Sequence, residues 1–517
     1  KKFMFAYTAQ YDSGNIRSIK QLDGQPAYLK QRHFAPESIF FEFECRTDNE
    51  MTPHETPSKA YFNFMLRRAP REQLVDFTTF LDSKFVPTPK FNNFVLIWKN
   101  PQKLQRLTNN THRIVFRTFR HLHQEDADFH QFQLPPNCIH DLQNIPDPLE
   151  QKFNQSNAVE ITGDFAYFQL QATLGTEILQ VAFVHPYSFG ATLLNMHRKF
   201  PLCQFRDLSL SPVYKLPLRA FIFGQGQKAV ILTSRVHPGE SLQSYVLSML
   251  VDQLLQNKDL LQQITLVVIP VLNPDGVYRG NYRADCLGNN LNRTYNRVEP
   301  EFCINKAVND FVSQLQQSHN IKMMIDFHNH ATLQSLVCFG NDLVDEELSK
   351  LGVSKPTFMQ FLSQKRKQKA LAKKAVSVPQ QNIQKMEDTL SQLQKMVKLQ
   401  IENLKFPYFL QKCNLFSAYK SDFTFESMGK EDFRGEPIEG TLRVQMLKQF
   451  QIKNVYTLEF NYATNNAAQV RTINYLFFKQ VSEAVYNAIV EFLAEKDVKG
   501  MKSFCLTTML QRELWDD

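Results

Sequence analysis

Four near-continuous apolar runs in the second half of the chain constrain its fold more than any other feature: Ala229 to Thr233, Ile264 to Leu272, Ile321 to Phe327 and Val455 to Phe460. A strand that is apolar on both faces is stable only where both faces are covered. Between the first two runs, Leu242, Tyr245, Val246, Met249, Leu250 and Leu254 recur at steps of three and four, which predicts a helix over Ser241 to Leu255. A second helix is expected around Ile473 to Leu493. Strands alternating with helices imply an α/β domain whose sheet is packed on both sides.

Upstream the texture differs. Segments such as Ile39-Phe40-Phe41-Glu42-Phe43 and Phe165-Ala166-Tyr167-Phe168-Gln169-Leu170 have period-two character between Asn, Asp, Pro and Gly, as antiparallel strands do. Polar, Pro-containing stretches between 45 and 160 read as long loops, to which no chemistry is assigned. A chain of 517 residues exceeds what one ordinary core serves. We therefore expect an N-terminal β domain over 1–200, an α/β domain over 201–500 and a tail over 501–517. Within the second, residues 342–405 interrupt the pattern with a basic run (Lys365, Arg366, Lys367, Lys369, Lys373, Lys374) and a helical face through Met386, Leu390, Leu393, Val397, Ile401 and Leu404. They read as an insertion.

A formal net charge of +8 favours an acidic partner without pointing to nucleic acid, and an acidic polypeptide fits it. No apolar run approaches the roughly 18 residues that cross a bilayer, and Lys1-Lys2-Phe3 does not open as a signal peptide, so a soluble, cytoplasmic protein is expected. The first residue is Lys and not Met, which leaves a preceding segment open. Eight scattered cysteines without a C-x-x-C suit a reducing compartment.

Three constellations carry chemistry. Ser234-Arg235-Val236-His237-Pro238-Gly239-Glu240 lies where a strand hands over to a helix, and two zinc ligands three apart can converge across such a turn. Alone this spacing is equally a helix start with Glu in the first turn. A third ligand fits at the end of another strand, in Asp326-Phe327-His328-Asn329-His330. The second constellation is Asn273-Pro274-Asp275-Gly276, then Gly280-Asn281-Tyr282-Arg283 and Leu291-Asn292-Arg293, whose arginines suit a carboxylate clamp and an oxyanion. In the third, Tyr456-Thr457-Leu458-Glu459, a carboxylate sits inside an apolar run, as a general base does when its surroundings tune it.

In this order and setting the motifs resemble the zinc metallocarboxypeptidases, specifically the cytosolic carboxypeptidases that trim glutamates from protein C-termini. Tyr11-Asp-Ser-Gly-Asn15 and Val184-His-Pro-Tyr-Ser188 are similar to two landmarks of that subfamily's N-terminal β domain. The resemblance implies a mixed eight-stranded α/β sheet covered by helices and preceded by an antiparallel β-sandwich. It implies one Zn2+ per chain on His237, Glu240 and His328, with Glu459 taking a proton from the attacking water and returning it to the leaving amine. Arg283 would polarise the scissile carbonyl, and Asn292 and Arg293 would hold the substrate's terminal carboxylate. A residue some fifteen positions before the base lines the side-chain pocket in that family, which points to Arg443, a cation suited to glutamate.

The chain departs from the family pattern at Leu442 (usually Gly), Asn290 (usually Asp) and Tyr295 (usually Trp), and Leu442 is expected to reshape the pocket. Polyglutamylated protein tails such as those of tubulin are the implied substrate, in a cytoskeletal or ciliary setting, with no nucleic-acid or membrane partner. Two other readings stand beside this one: a microtubule-associated docking protein that uses the fold and the basic run, and a carboxypeptidase with another side-chain preference.

Overall fold

A computed structural model describes residues 4–9, 14–35, 37–58, 60–69, 73–74, 91–99, 113–119, 154–162, 165–174, 178–199, 203–330, 336–341, 343, 400–412, 421–426, 438–461, 464–466, 469–471 and 475–494. The basic run at 365–374 and nearly all of the helix expected at 380–405 lie outside them.

The N-terminal region holds a six-stranded and a five-stranded sheet. Their pairing is mainly antiparallel, with two exceptions: Ile39–Glu44 runs parallel to Phe91–Lys99, and Ala6 and Tyr7 pair in parallel with Gln73 and Leu74. Aromatic rings fill the space between the sheets. Phe43 and Phe62 meet edge to face at 4.9 Å, and Trp98 meets Phe62 at 5.0 Å. Part of the chain's 44 Phe serves this packing.

The second half builds one eight-stranded mixed sheet from β1 (Cys203–Leu210), β2 (Pro217–Gly224), β3 (Lys228–Ser234), β4 (Ile264–Ile269), β5 (Asn320–His330), β6 (Leu336–Asn341), β7 (Ser421–Glu426) and β8 (Val455–Asn461). Their spatial order is β1-β2-β4-β3-β5-β8-β6-β7. The central strands β4, β3, β5 and β8 are parallel to their neighbours in that order. These are the four apolar runs, except that β4 ends at Ile269 and Pro270 breaks the run before Leu272.

Alternate residues of β3 enter different cores. Val230 and Leu232 pack with α1 (Leu242–Gln256) and the C-terminal helix Tyr475–Leu493, whereas Ala229 and Ile231 pack with Cys303–Ser318 and Leu442–Phe450. Burying each such aliphatic side chain contributes about 1.5–3 kcal/mol, so a strand buried on both faces anchors the sheet strongly. The chain after β3 crosses to β4 on one side, and β5 enters on the other. The crevice between the C-terminal ends of β3 and β5 is therefore a point where the strand order switches, the usual place for a ligand in an open α/β sheet.

Candidate metal centre

His237 and Glu240 sit on the turn that leaves β3, and His328 sits near the C-terminal end of β5. Their ligating atoms all lie within 4.8 Å of one another, and all three residues are buried. His237 Nδ1 is 2.9 Å from Glu240 Oε1, and His328 Nδ1 is 3.3 Å from Glu240 Oε2. Both imidazoles thus turn Nδ1 towards the cluster.

The other nitrogens are held from outside. His328 Nε2 lies 2.7 Å from Asp326 Oδ2, and Asp326 Oδ1 accepts from Thr233 Oγ1. His237 Nε2 lies 3.2 Å from Asn290 Oδ1, which also accepts the Asn292 N–H. That acceptor oxygen suits a His237 proton on Nε2 when an ion takes the Nδ1 lone pair; without an ion, Nδ1 faces the Glu240 carboxylate, itself an acceptor. Glu240 Oε2 accepts from the Asn329 N–H at 3.0 Å and from Gln243 Nε2 at 3.1 Å. Two nitrogens and a carboxylate, oriented by outer partners and close enough to share one ion, fit zinc.

The electrostatics suit a ligand at His237 and Glu240 and oppose one at His328. Burial, reinforced by the Arg283 cation, pushes His237 down to about 3, so it is neutral, as a ligand must be. Burial opposes ionisation of Glu240, yet the two imidazoles hold its carboxyl well below the usual range. Burial likewise opposes a charge on His328, but the Asp326 carboxylate, with Glu240, raises it well above the ordinary histidine value, so an ion has to displace its proton on binding.

The turn is built by its own sequence. Arg235 has φ of 57° and is wholly buried; its guanidinium donates to the Pro238 carbonyl and to the Tyr187 carbonyl. Gly239 is required because a Cβ there would meet Tyr282 Cδ2 at 2.9 Å, and the Gly239 N–H donates to the Tyr282 carbonyl. Pro186 and His185 carbonyls accept from Tyr245 and Ser241, so the 184–188 landmark docks on the start of α1.

Glu459 pairs in register with His328 across β5 and β8. It is partly exposed, and its Oε2 lies 3.9 Å from His330 Nε2. Arg283 follows the short helix Pro274–Arg279, which Asn273 caps by accepting the Gly276 N–H. Asn292 Oδ1 accepts the Leu442 N–H at 3.1 Å. That leaves the Asn292 Nδ2 end with the polarity to meet an anion. Arg293 Nη1 donates to the Asn292 carbonyl, and Gly440 lies so close that a Cβ would sit 1.9 Å from the Arg293 carbonyl oxygen.

Arg443 lies in the first turn of the helix Leu442–Phe450, capped by Thr441. It is buried, with Nη1 donating to the Gly340 carbonyl and to Asn341 Oδ1. The Leu442 side chain is fully buried in the core with Leu291, Tyr295 and Leu272.

Five residues at the site escaped the sequence reading as contributors: Asp326, Asn290, Gln243, Arg235 and Asp48. Asp326 was legible, since residues two apart on a strand share a face. The 45–160 region, to which no chemistry was assigned, supplies Asp48; its carboxylate accepts the backbone N–H of Arg283.

Comparison with known proteins falls on the same elements. Residues 222–408 match the zinc carboxypeptidase family model. The sequence is 31% identical over 182 residues to cytosolic carboxypeptidase 6 of Caenorhabditis elegans, covering 32% of this chain and 39% of that one. It is 35% identical over 144 residues to cytosolic carboxypeptidase 2 of Mus musculus, covering 26% and 17%. The alignments thus span less than half the length of these relatives. Among solved structures, a metallo-carboxypeptidase from Burkholderia cenocepacia superposes with a TM-score of 0.58 at 16% identity, covering 95% of this chain and 99% of that one. A metallo-carboxypeptidase from Pseudomonas aeruginosa gives 0.56 at 14%, over 94% and 99%. At such identities these two establish the shared fold. With family match, fold and ligand cluster on the same strands, the chain carries a zinc carboxypeptidase domain.

Proposed function

We propose that this protein is a zinc-dependent carboxypeptidase that removes glutamates from the C-termini of acidic protein tails such as those of tubulin. The observation that carries the reading is the convergence of His237 Nδ1, Glu240 and His328 Nδ1, with Glu459 in register beside His328. Zinc bound there supplies a Lewis acid and lowers the pKa of a water molecule towards about 7.

The chain's own groups do the rest. Glu459, partly exposed at the end of β8, takes the proton of the attacking water and hands it to the leaving amine. Arg283 donates to the carbonyl oxygen as charge develops on it. Asn292 and Arg293 hold the terminal α-carboxylate, which limits cleavage to the last residue. Arg443 meets the glutamate side chain. The positive net charge and the names of the cytosolic relatives support an acidic substrate in the cytoplasm. The four polar groups at the ends of β3, β5 and β8 favour catalysis over a docking role, since docking needs no such convergence.

The test is incubation of the zinc-loaded protein with polyglutamylated tubulin, following tail length by mass spectrometry. Zinc-dependent shortening is expected. A panel of peptides that differ only in the last residue separates glutamate preference from another side-chain preference, and intact tails together with an intact panel would sink the reading.

A further inference from the structure

The loop that carries Arg283 is gripped from the far side by the N-terminal domain. Asp48 is fully buried. Its Oδ1 accepts the Tyr282 N–H at 2.5 Å, and its Oδ2 accepts the Arg283 and Ala284 N–H groups at 2.7 and 2.8 Å. Next to it Asn49, at φ 58°, donates to the Asp285 carbonyl and accepts from Asn281 Nδ2. Asn15 Nδ2 donates to the Gly280 carbonyl, and Arg46 Nη2 to the Arg279 carbonyl. On the opposite side the Gly239 N–H holds the Tyr282 carbonyl. The loop is thus clamped between the 46–49 turn and the turn that bears the metal ligands.

Asn15 and Asn49 tether its two ends, and among the described residues only Asp48 engages the three successive amides around Arg283 itself. A carboxylate is an acceptor with no hydrogen to offer, so it alone can satisfy three converging N–H groups. Burial pushes its carboxyl up to about 6 against the pull of those amides, and at neutral pH it remains ionised. The Arg283 cation in turn is felt at His237.

We propose that Asp48 is a positioning residue for the hydrolytic reaction: by fixing the backbone of residues 282–284 it sets the place of the Arg283 guanidinium, which makes the N-terminal domain a working part of the active site. The inference rests on the role given above to Arg283. Asp48→Asn conserves shape but turns an NH2 group towards at least one of the three amides, which loosens the loop at Arg283 while its ends stay tethered.

The experiment compares the full zinc-loaded chain with Asp48→Asn, Arg283→Ala and the double variant on a peptide ending in glutamate, measuring kcat, KM, zinc per chain and melting temperature. Asp48→Asn is expected to keep its zinc and its KM and to lower kcat by about tenfold or more, because misplacing a group that acts in the transition state costs kcat. The double variant is expected to match Arg283→Ala, since both changes act through one guanidinium. Asp48→Glu, which keeps the acceptor, is expected to fall between wild type and Asp48→Asn.

Losses that multiply in the double variant, or a loss confined to KM or zinc content, would overturn the proposal, as would wild-type kcat in Asp48→Asn. Failure of both Asp48 variants to fold would make Asp48 a folding residue and overturn it as well. Wild-type kcat in Arg283→Ala would instead remove the role of Arg283, and this inference with it.

Discussion

Each imidazole of the cluster turns one nitrogen inward and has the other held by a side-chain oxygen, and the two oxygens differ in charge. His328 leans on the Asp326 carboxylate, His237 on the Asn290 amide, where an Asp was the expected residue. A carboxylate raises the basicity of its histidine more than an amide does, so His237 is the weaker of the two donors. Asn290→Ala should release the His237 tautomer and weaken zinc binding by about 10- to 100-fold, as read by competition with a chelating dye. The ligands themselves were legible because they cluster in two short motifs. Their outer partners were only half so: Asp326 lies two residues from its histidine, but Asn290 lies 53 residues from His237. Arg443 belongs to the same scale. It is buried against Gly340 and Asn341, and Arg443→Leu should cut kcat/KM for a peptide ending in Glu by about tenfold or more relative to one ending in Leu.

At the level of elements, β3, β5 and β8 were readable because apolar runs on both faces have few other solutions, and the turn after β3 and the C-terminal end of β5 bring His237, Glu240 and His328 together. What could not be read is the packing of the N-terminal landmark on α1. His185 of that landmark makes T-shaped contacts with the Tyr245 and Phe478 rings, and burial drives it down from 6.5 to about 4. The unfolded chain therefore takes up a proton near 6.5 that the folded chain refuses until about 4. Stability from this group is full above 6.5 and is lost as pH falls towards 4, at up to about 1.4 kcal/mol per pH unit. His197, also lowered to about 4, adds to the same limb. Melting temperature measured against pH should show this decline, and His185→Phe should flatten it in part.

Across the whole molecule the N-terminal sheets and the α/β domain share one hydrophobic cluster, which runs from Phe43 and Trp98 through Phe183 and Tyr187 to Tyr245 and Phe478. No helix among the described residues is long and apolar enough to cross a membrane. Contacts such as Asp48 with Tyr282 span 234 residues, and no local pattern announces them. The net charge of +8 acts at this scale: attraction of an acidic tail is screened over about 8 Å at physiological salt, so KM for a polyglutamate peptide should rise with ionic strength while kcat holds. Exopeptidase action is read most plainly in the products formed from a peptide that ends in a run of glutamates. Mass spectrometry of the zinc-loaded wild type should show single glutamates leaving from the C-terminus, chelation should abolish this, and Glu459→Gln should retain zinc yet lose at least about 100-fold in kcat. Internal cleavage would exclude an exopeptidase, and undiminished turnover in Glu459→Gln would exclude Glu459 as its base.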